Sequence, residues 1–416
     1  MNYIALAIPA FFLLIGLELL IDKIKKTKYY RFNDAITNLS CGVGSQVFGV
    51  FLKAFIYIGY YFLYNNYKIF ELPGIGQNYA VAEVLLTGFV LFLGVDFFYY
   101  WFHRLAHEIN VLWGSHVVHH QSEEYNLTVA LRQGWVQGAF SWMFYLPLAI
   151  VGFQPELFIL INAFQTLYQF WIHTKAIDKL PRWFEFVFNT PSHHRVHHGV
   201  NPKYIDRNHG GTLIIYDRMF GTFEPEKEEV VYGITEQPKS WNPLWLNIEH
   251  WVKVFRDTAR VKGLKNKWKM MFGLPGWKPE DWKIEKKQFD PHKFIKYDTE
   301  VPSGLNYYIL TQKVLVLIGT TFFLFNSESL SWAENTYFAL LIIWSLVNLG
   351  ALFEMKNRIL GFEALRLIVV SFTFIQIINP AQNLILAIVL PAMFLIVSLT
   401  VLLPYRNYLN KSRNIA

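Results

Sequence analysis

The chain has 416 residues, 53% of them hydrophobic and 18% aromatic, and its apolar residues gather into runs long enough to cross a bilayer core of about 30 Å, which excludes a soluble globular protein. A single cysteine, Cys41, excludes disulfides, a CxxC pair and a thiolate-rich zinc site within one copy, so any metal must rest on nitrogen and oxygen donors. The formal charge of +7 is carried mainly by segments flanking the apolar runs, where anionic headgroups rather than nucleic acid are the natural partner.

The first run, Ile4 to Ile21, lacks a basic n-region and a small-residue cleavage site, and Lys23, Lys25, Lys26, Lys28 and Arg31 follow it. It reads as an anchor that stays. Further runs lie at Ile36 to Tyr64, Ala80 to Phe102, Trp135 to Phe153, Glu156 to Trp171, Asn306 to Phe325, Trp332 to Leu352, Phe362 to Ile378 and Leu384 to Leu403. Placing Asn2 outside puts the basic loop 23–31, the basic stretch Thr174 to Gly304, the loop Met355 to Arg358 and the tail with Arg406, Lys411 and Arg413 on the cytosolic side. The outer loops, including Asn379 to Asn383, are then poor in lysine and arginine, with Trp135 to Trp171 forming a hairpin that leaves and returns. Glu18, Lys53 and Asp96 stand out as charged residues within the runs, too sparse for an ion path through a transporter.

The expected fold is an all-α integral membrane protein, a multi-span helical bundle with a cytosolic histidine-rich di-metal cap. It divides into N-terminal membrane helices (1–79), a catalytic core (80–226), a basic cytosolic segment (227–304) and C-terminal membrane helices (305–416). That last part holds no histidine and reads as a packing or partner bundle.

Ten of the thirteen histidines fall between His103 and His198. Eight form three clusters: His103 and His107 in HRLAH, His116, His119 and His120 in HVVHH, and His194, His197 and His198 in HRVHH. On a helix, residues three and four apart share a face, so each cluster aims its imidazoles one way, and Asp96 joins His103 and His107. Ser192 is the expected N-cap of the third cluster's short helix and Gly199 its stop. His173 ends a polar stripe, Asn162, Gln165 and Gln169, at helical spacing, which would serve equally for interhelical hydrogen bonding. His193 is a candidate supporting residue, whereas His209, His250 and His292 read as satisfied core or interface side chains.

Eight or nine imidazoles exceed the capacity of one ion, so two ions are implied. The absence of paired ExxH and of HExxH argues against a carboxylate-bridged di-iron bundle and a zinc protease. The donor set suits iron and zinc alike, and a histidine-only zinc pair would be hydrolytic. A membrane address favours iron and oxygen attack on an unactivated lipid carbon.

These boxes, followed by DRMFGTF at Asp217 to Phe223, resemble the fatty acid hydroxylase and sterol desaturase superfamily. Within it the resemblance is closest to the alkylglycerol (glyceryl-ether) monooxygenase family. It is carried by YYWFHRLAHEIN (Tyr99 to Asn110), SHVVHHQSEEYNLTVALRQ (Ser115 to Gln133), LYQFWIHT (Leu167 to Thr174) and NTPSHHRVHHGVNPKYIDRNHGGTLIIYDRMFGTFEPE (Asn189 to Glu226). It implies hydroxylation of the carbon beside an ether oxygen with O2 and tetrahydrobiopterin, then collapse to a fatty aldehyde and free glycerol. It makes the eight box histidines ligands of two iron ions, and matches Glu108 to a glutamate tied to activity. Glu108 and Arg104, at i and i+4, would equally make an ion pair worth about 0.2–0.5 kcal/mol. Superfamily motifs leave fatty acyl, sterol and carotenoid hydroxylation or desaturation open, and leave the electron donor, pterin or redox protein, unassigned. The rings at Phe97 to Phe102, Trp113, Tyr168 and Trp171 would line a substrate slot or form an interfacial belt. The compartment expected is an inner membrane in a bacterium or the endoplasmic reticulum in a eukaryote.

Overall fold

A chain in lipid has no water to satisfy its backbone, so apolar runs become helices, which pair every interior N–H with a carbonyl of the same segment. The computed structural model describes residues 3–282, 289–356, 358–378 and 383–406, and among them the regular structure is helical. The predicted outer loop at 379–382 and the tail with Lys411 and Arg413 lie outside the described residues, as do the side chains of Lys53 and His292. The α-helices are α1 (Tyr3–Lys25), α2 (Phe32–Tyr67), α3 (Val81–Glu108), α4 (Asn110–His120), α5 (Leu127–Ala130), α6 (Gly138–Val151), α7 (Pro155–Trp171) and α8 (Arg182–Val187). There follow α9 (Pro191–His197), α10 (Ile215–Phe220), α11 (Pro243–Arg260), α12 (Leu264–Phe272), α13 (Ser303–Asn326), α14 (Trp332–Phe353), α15 (Ile359–Ile378) and α16 (Leu384–Leu402).

Among the described residues, six helices are long and apolar enough to cross a bilayer: Phe32–Leu52 within α2, all of α3, α13 and α14, Ile359–Ile377, and Leu384–Tyr405. The chain is therefore a multi-pass membrane protein. The expected hairpin from Trp135 to Trp171 is built from two short helices, α6 of 14 residues and α7 of 17, about 21 and 25 Å long at 1.5 Å per residue. Gly152 turns the chain between them with φ +115°, and a Cβ there would meet the Phe70 carbonyl oxygen at 2.0 Å. Pro155 then takes the first position of α7, where its missing N–H costs nothing. Tyr60 and Tyr64 of α2, Leu91 and Val95 of α3, Tyr145 and Leu148 of α6, and Leu157 and Phe158 of α7 form one buried cluster.

The chain falls into two compact units, one comprising the residues up to Pro238 with Asn247–Lys296, the other Lys239–Leu246 with the residues from Tyr297 onward. The second unit holds α13 to α16, and it corrects the expectation of sparse charge within the apolar runs. Glu363 and Arg366 of α15 are buried, Arg366 Nε donating to Glu363 Oε2 at 2.8 Å. Asn348 Nδ2 of α14 donates to Glu363 at 3.0 Å, and Arg366 Nη2 donates to Gln312 of α13 at 2.7 Å. Lys313 is buried as well.

In the first unit, the corner between α3 and α4 is held by Asn110. Its N–H donates to the Gly273 carbonyl at 2.9 Å and its Nδ2 to that of Met270 at 2.7 Å. His250 Nε2 of α11 lies 3.0 Å from both the Asn110 carbonyl and its Oδ1, so His250 is the satisfied side chain expected. Burial pulls its pKa down to about 4. The unfolded chain takes up this proton as pH falls through about 6.5, whereas the folded chain does not until about 4, so stability is lost across that window. Lowering pH from 7 to 5 is therefore expected to lower the melting temperature, and His250→Asn to shrink that drop. An unchanged pH profile in the variant would show that His250 contributes nothing to it.

Candidate metal centre

Helical spacing sorts the histidines into two groups. His103, His107, His116, His120 and His197 form one, and His119, His173, His194 and His198 the other; all nine are buried, and within each group one donor atom per residue lies within 4.8 Å of the rest. His103 and His107 come from the last turns of α3, His116, His119 and His120 from α4, His173 from just beyond α7, and the remaining three from α9 and its C-cap. Each HxxHH segment is divided. Its i and i+4 imidazoles go to one group and its i+3 imidazole to the other, because i+3 and i+4 point about 100° apart on a 3.6-residue helix. The two short helices thus sit astride the seam, and the groups adjoin where the His120 and His198 rings stack at 4.4 Å.

Six of the nine Nδ1 atoms face oxygens. His103 Nδ1 donates to the His209 carbonyl at 2.7 Å, His116 to Gln137 Oε1 at 2.9 Å, His119 to the Arg132 carbonyl at 2.8 Å, His173 to that of Gln169 at 2.7 Å and His197 to that of Arg207 at 2.9 Å. His107 Nδ1 lies 3.4 Å from Asp206 Oδ1. This fixes the tautomer, because a nitrogen on a carbonyl must carry the proton, leaving Nε2 as a bare lone pair. Burial drives the same state: His116 is pulled down to about 4 and His173 to about 3, and His119, His120, His194, His197 and His198 fall well below the ordinary range.

Those lone pairs converge. Nε2 of His103 and of His116 are 2.9 Å apart, His120 and His116 3.1 Å, His173 and His119 3.1 Å, and His194 and His173 3.0 Å. Two of these pairs, His103 with His116 and His173 with His119, have both Nδ1 protons committed outward, so no hydrogen bond joins them. The Nε2 atoms of His107, His197 and His198 are buried with no partner, at about 1–3 kcal/mol for each. Two nitrogens bound at about 2.0–2.1 Å to one ion at a right angle lie about 2.9–3.0 Å apart. Each group could therefore hold a metal ion.

A loop completes the site. Residues 206–213 run past the five-histidine group, with Asp206 and Asn208 at φ +55° and +57°, a region that Asp and Asn tolerate better than most. Two wholly buried carboxylates pin this loop. Asp96 of α3 accepts the Thr212 and Leu213 N–H groups at 2.7 and 2.9 Å, and Asp217 of α10 accepts those of His209 and Gly210 at 2.7 Å each. Gly211 passes so close that a Cβ would meet Gln165 Nε2 at 2.2 Å and Asp96 Oδ1 at 2.8 Å. The carboxylate of Asp217 and the glycines stood in the quoted DRMFGTF and NHGG segments, but no periodicity marks a loop, so their role was not readable.

The other expectations divide. Gln165 Nε2 donates to Asp96, and Gln169 donates to Gln165, so the stripe on α7 is a hydrogen-bonded one that also presents His173. Ser192 does not cap α9; Thr190 precedes it and Pro191 starts it, while Ser192 donates to Glu185. His193 stands outside both groups, against Phe223. His209 is not a satisfied core residue, since both of its ring nitrogens lack a partner and its ring lies against the five-histidine group. Glu108 accepts from Arg104 Nε at 2.8 Å with its side chain 32% exposed. It connects to the carboxylate that pins the loop through a chain: Arg104 Nη1 donates to Tyr100, Tyr100 bonds Thr222, and Thr222 donates to Asp217. Trp113 packs on His107 at 4.7 Å, and Tyr125, which the sequence did not single out, lies 5.3 Å from His198.

Residues 88–222 match the family model for fatty acid hydroxylase. Over 379 residues the chain is 38% identical to an alkylglycerol monooxygenase of Xenopus tropicalis, covering 90% of this chain and 82% of that one. It is 37% identical to the human alkylglycerol monooxygenase over 369 residues, 88% and 81% of the two chains. An ornithine lipid hydroxylase of Rhizobium tropici is 29% identical over 162 residues, 38% of this chain and 48% of that one. No solved structure matches the chain.

Gly211→Ala is expected to push the loop off Asp96, destabilise the protein by about 1–3 kcal/mol and reduce bound metal. Melting temperature and elemental analysis of the purified variant check this. Wild-type values for both would show that the loop's close approach to α3 is dispensable.

Proposed function

Since the chain belongs to the alkylglycerol monooxygenase family and is a membrane lipid monooxygenase, we propose that it cleaves the ether bond of an alkylglycerol. The observation that carries this reading is the pair of adjoining all-imidazole groups at the end of a membrane-length helix. We assign His103, His107, His116, His120 and His197 to one iron ion and His119, His173, His194 and His198 to the other. Zinc suits the same donors in isolated protein but has no redox chemistry. A bound iron pair supplies the reductive activation of O2, which side chains cannot perform.

One oxygen atom enters the C–H bond beside the ether oxygen. The other leaves as water, with two electrons and two protons from a donor, for which we propose tetrahydrobiopterin. The hemiacetal so formed parts into a fatty aldehyde and a glycerol hydroxyl. The chain's own contribution is placement. Leu85, Leu86 and Phe89 of α3 face outward as a lipid-facing surface, and the same helix ends in His103 and His107. A lipid can therefore keep its tail in the membrane while its first carbons reach the centre. Trp113, Tyr99 and Tyr125 pack against the imidazoles and exclude water from them. Glu108 acts at the outer end of the chain through Arg104 and Tyr100. The basic stretch from Thr174 to Gly304 supports a centre on the cytosolic face.

The similarity to a lipid hydroxylase of Rhizobium favours a second reading, hydroxylation of another membrane lipid without cleavage. Membranes containing the protein should release aldehyde from an O-alkylglycerol only with O2 and tetrahydrobiopterin, and not at all with His197→Ala. A metal-replete protein that releases none would overturn ether cleavage, and a product heavier by one oxygen from another lipid would establish the second reading.

A further inference from the structure

His209 repeats the features of the assigned ligands without belonging to either group. It is wholly buried, and neither ring nitrogen has a hydrogen-bond partner, a desolvation cost that calls for an explanation. Its ring lies 5.2 Å from that of His107 and 5.7 Å from those of His103 and His197. Those spacings fall inside the 4.4 to 6.5 Å found between contacting rings of the five-histidine group itself. Its Nδ1 lies 3.7 Å from Asp217 Oδ1, and closing that gap would make the carboxylate–histidine arrangement that presents Nε2 of a ligating histidine.

The backbone around it is committed to the same group. Asp206 faces His107, the Arg207 carbonyl holds His197, and the His209 carbonyl holds His103. The His209 N–H is fixed by Asp217 at 2.7 Å, so the side chain leaves a rigid segment that already follows the contour of the centre.

We propose that His209 is a sixth nitrogen donor to the ion of the five-histidine group. The proposal rests on the two-ion reading and goes beyond it, because it makes the ions unequal. Six imidazoles fill an octahedral ion, while four leave open positions. The ion at His119, His173, His194 and His198 is then the one that can accept an exogenous ligand.

The test uses the full-length protein loaded with Co2+, whose visible absorption strengthens when a six-coordinate ion loses a ligand. Wild type is expected to hold two ions. His209→Phe, which keeps a ring but no nitrogen, should retain both, with a stronger visible band and with one ion released to a chelator at least about tenfold faster. In His209→Ala, added imidazole should restore the wild-type band and release rate. An unchanged band and release rate in His209→Phe would overturn the proposal. If His209→Phe does not accumulate, His209→Ala prepared in imidazole decides: recovery of two slowly released ions supports the sixth ligand, and no recovery overturns it. Wild type holding fewer than two ions would instead overturn the two-ion reading, and this inference with it.

Discussion

Nine buried imidazoles gathered into two adjoining groups are the constraint from which the rest of the structure follows. Left alone they repel, and each unpaired nitrogen carries a desolvation cost that a hydrogen-bond donor, a proton or a cation would remove. Protonation is disfavoured, because burial keeps His116, His119 and His173 neutral and the Nδ1 hydrogens of His103, His119 and His173 are given to outward acceptors. The polypeptide must therefore be rigid enough to hold the arrangement open for metal, and the buried polar links around it serve that end. Arg195, inside the third histidine segment, forks onto Glu226 at 2.9 and 2.8 Å and reaches the Ile177 carbonyl at 2.7 Å. Arg132 holds the Val118 carbonyl from below α4 while its own carbonyl takes His119.

The helices and their histidines were legible because both are written in spacing. Apolar runs gave the spanning segments, and i, i+3, i+4 repeats gave all nine members of the two groups, His173 included. What spacing cannot show is how a segment is shared. HVVHH reads as three ligands on one face, yet His119 leaves the other two for the second group, since the two groups lie on either side of the helix. The acceptors were equally hidden. Four of those behind the rings are backbone carbonyls, at Arg132, Gln169, Arg207 and His209, which any residue supplies. Ser192 was misread because a serine after a proline resembles a cap, when proline itself prefers the first helical position.

Charge within the apolar runs was underestimated for a related reason. Glu363 and Arg366 sit three apart on α15, so each neutralises the other, and Gln312, Asn348 and Ser345 surround them. A hydropathy pattern averages such a pair away, although burying either charge alone would be prohibitive. With partners from α13, α14 and α15, the cluster fixes the register of those helices against each other, something apolar packing in lipid does poorly because lipid tails compete equally well for it.

The loop at residues 206–213 shows why membrane helices alone could not build this centre. Inside a helix each carbonyl already accepts from the residue four ahead and points along the axis, so it is poorly placed to orient an imidazole from another segment. Free carbonyls occur in loops and in the last turn of a helix. The acceptors behind the histidines obey this: Arg132 follows α5, Gln169 lies in the last turn of α7, and Arg207 and His209 belong to the loop. Loops are ordinarily the mobile part of a protein, but the centre needs the orientation of His103 and His197 fixed. The two carboxylates Asp96 and Asp217, each burying a charge against backbone N–H groups, convert this loop into a rigid element. Its rigidity is transmitted to the imidazoles through the Arg207 and His209 carbonyls. The helices set which side chains can meet, and the pinned loop sets the angle at which they do.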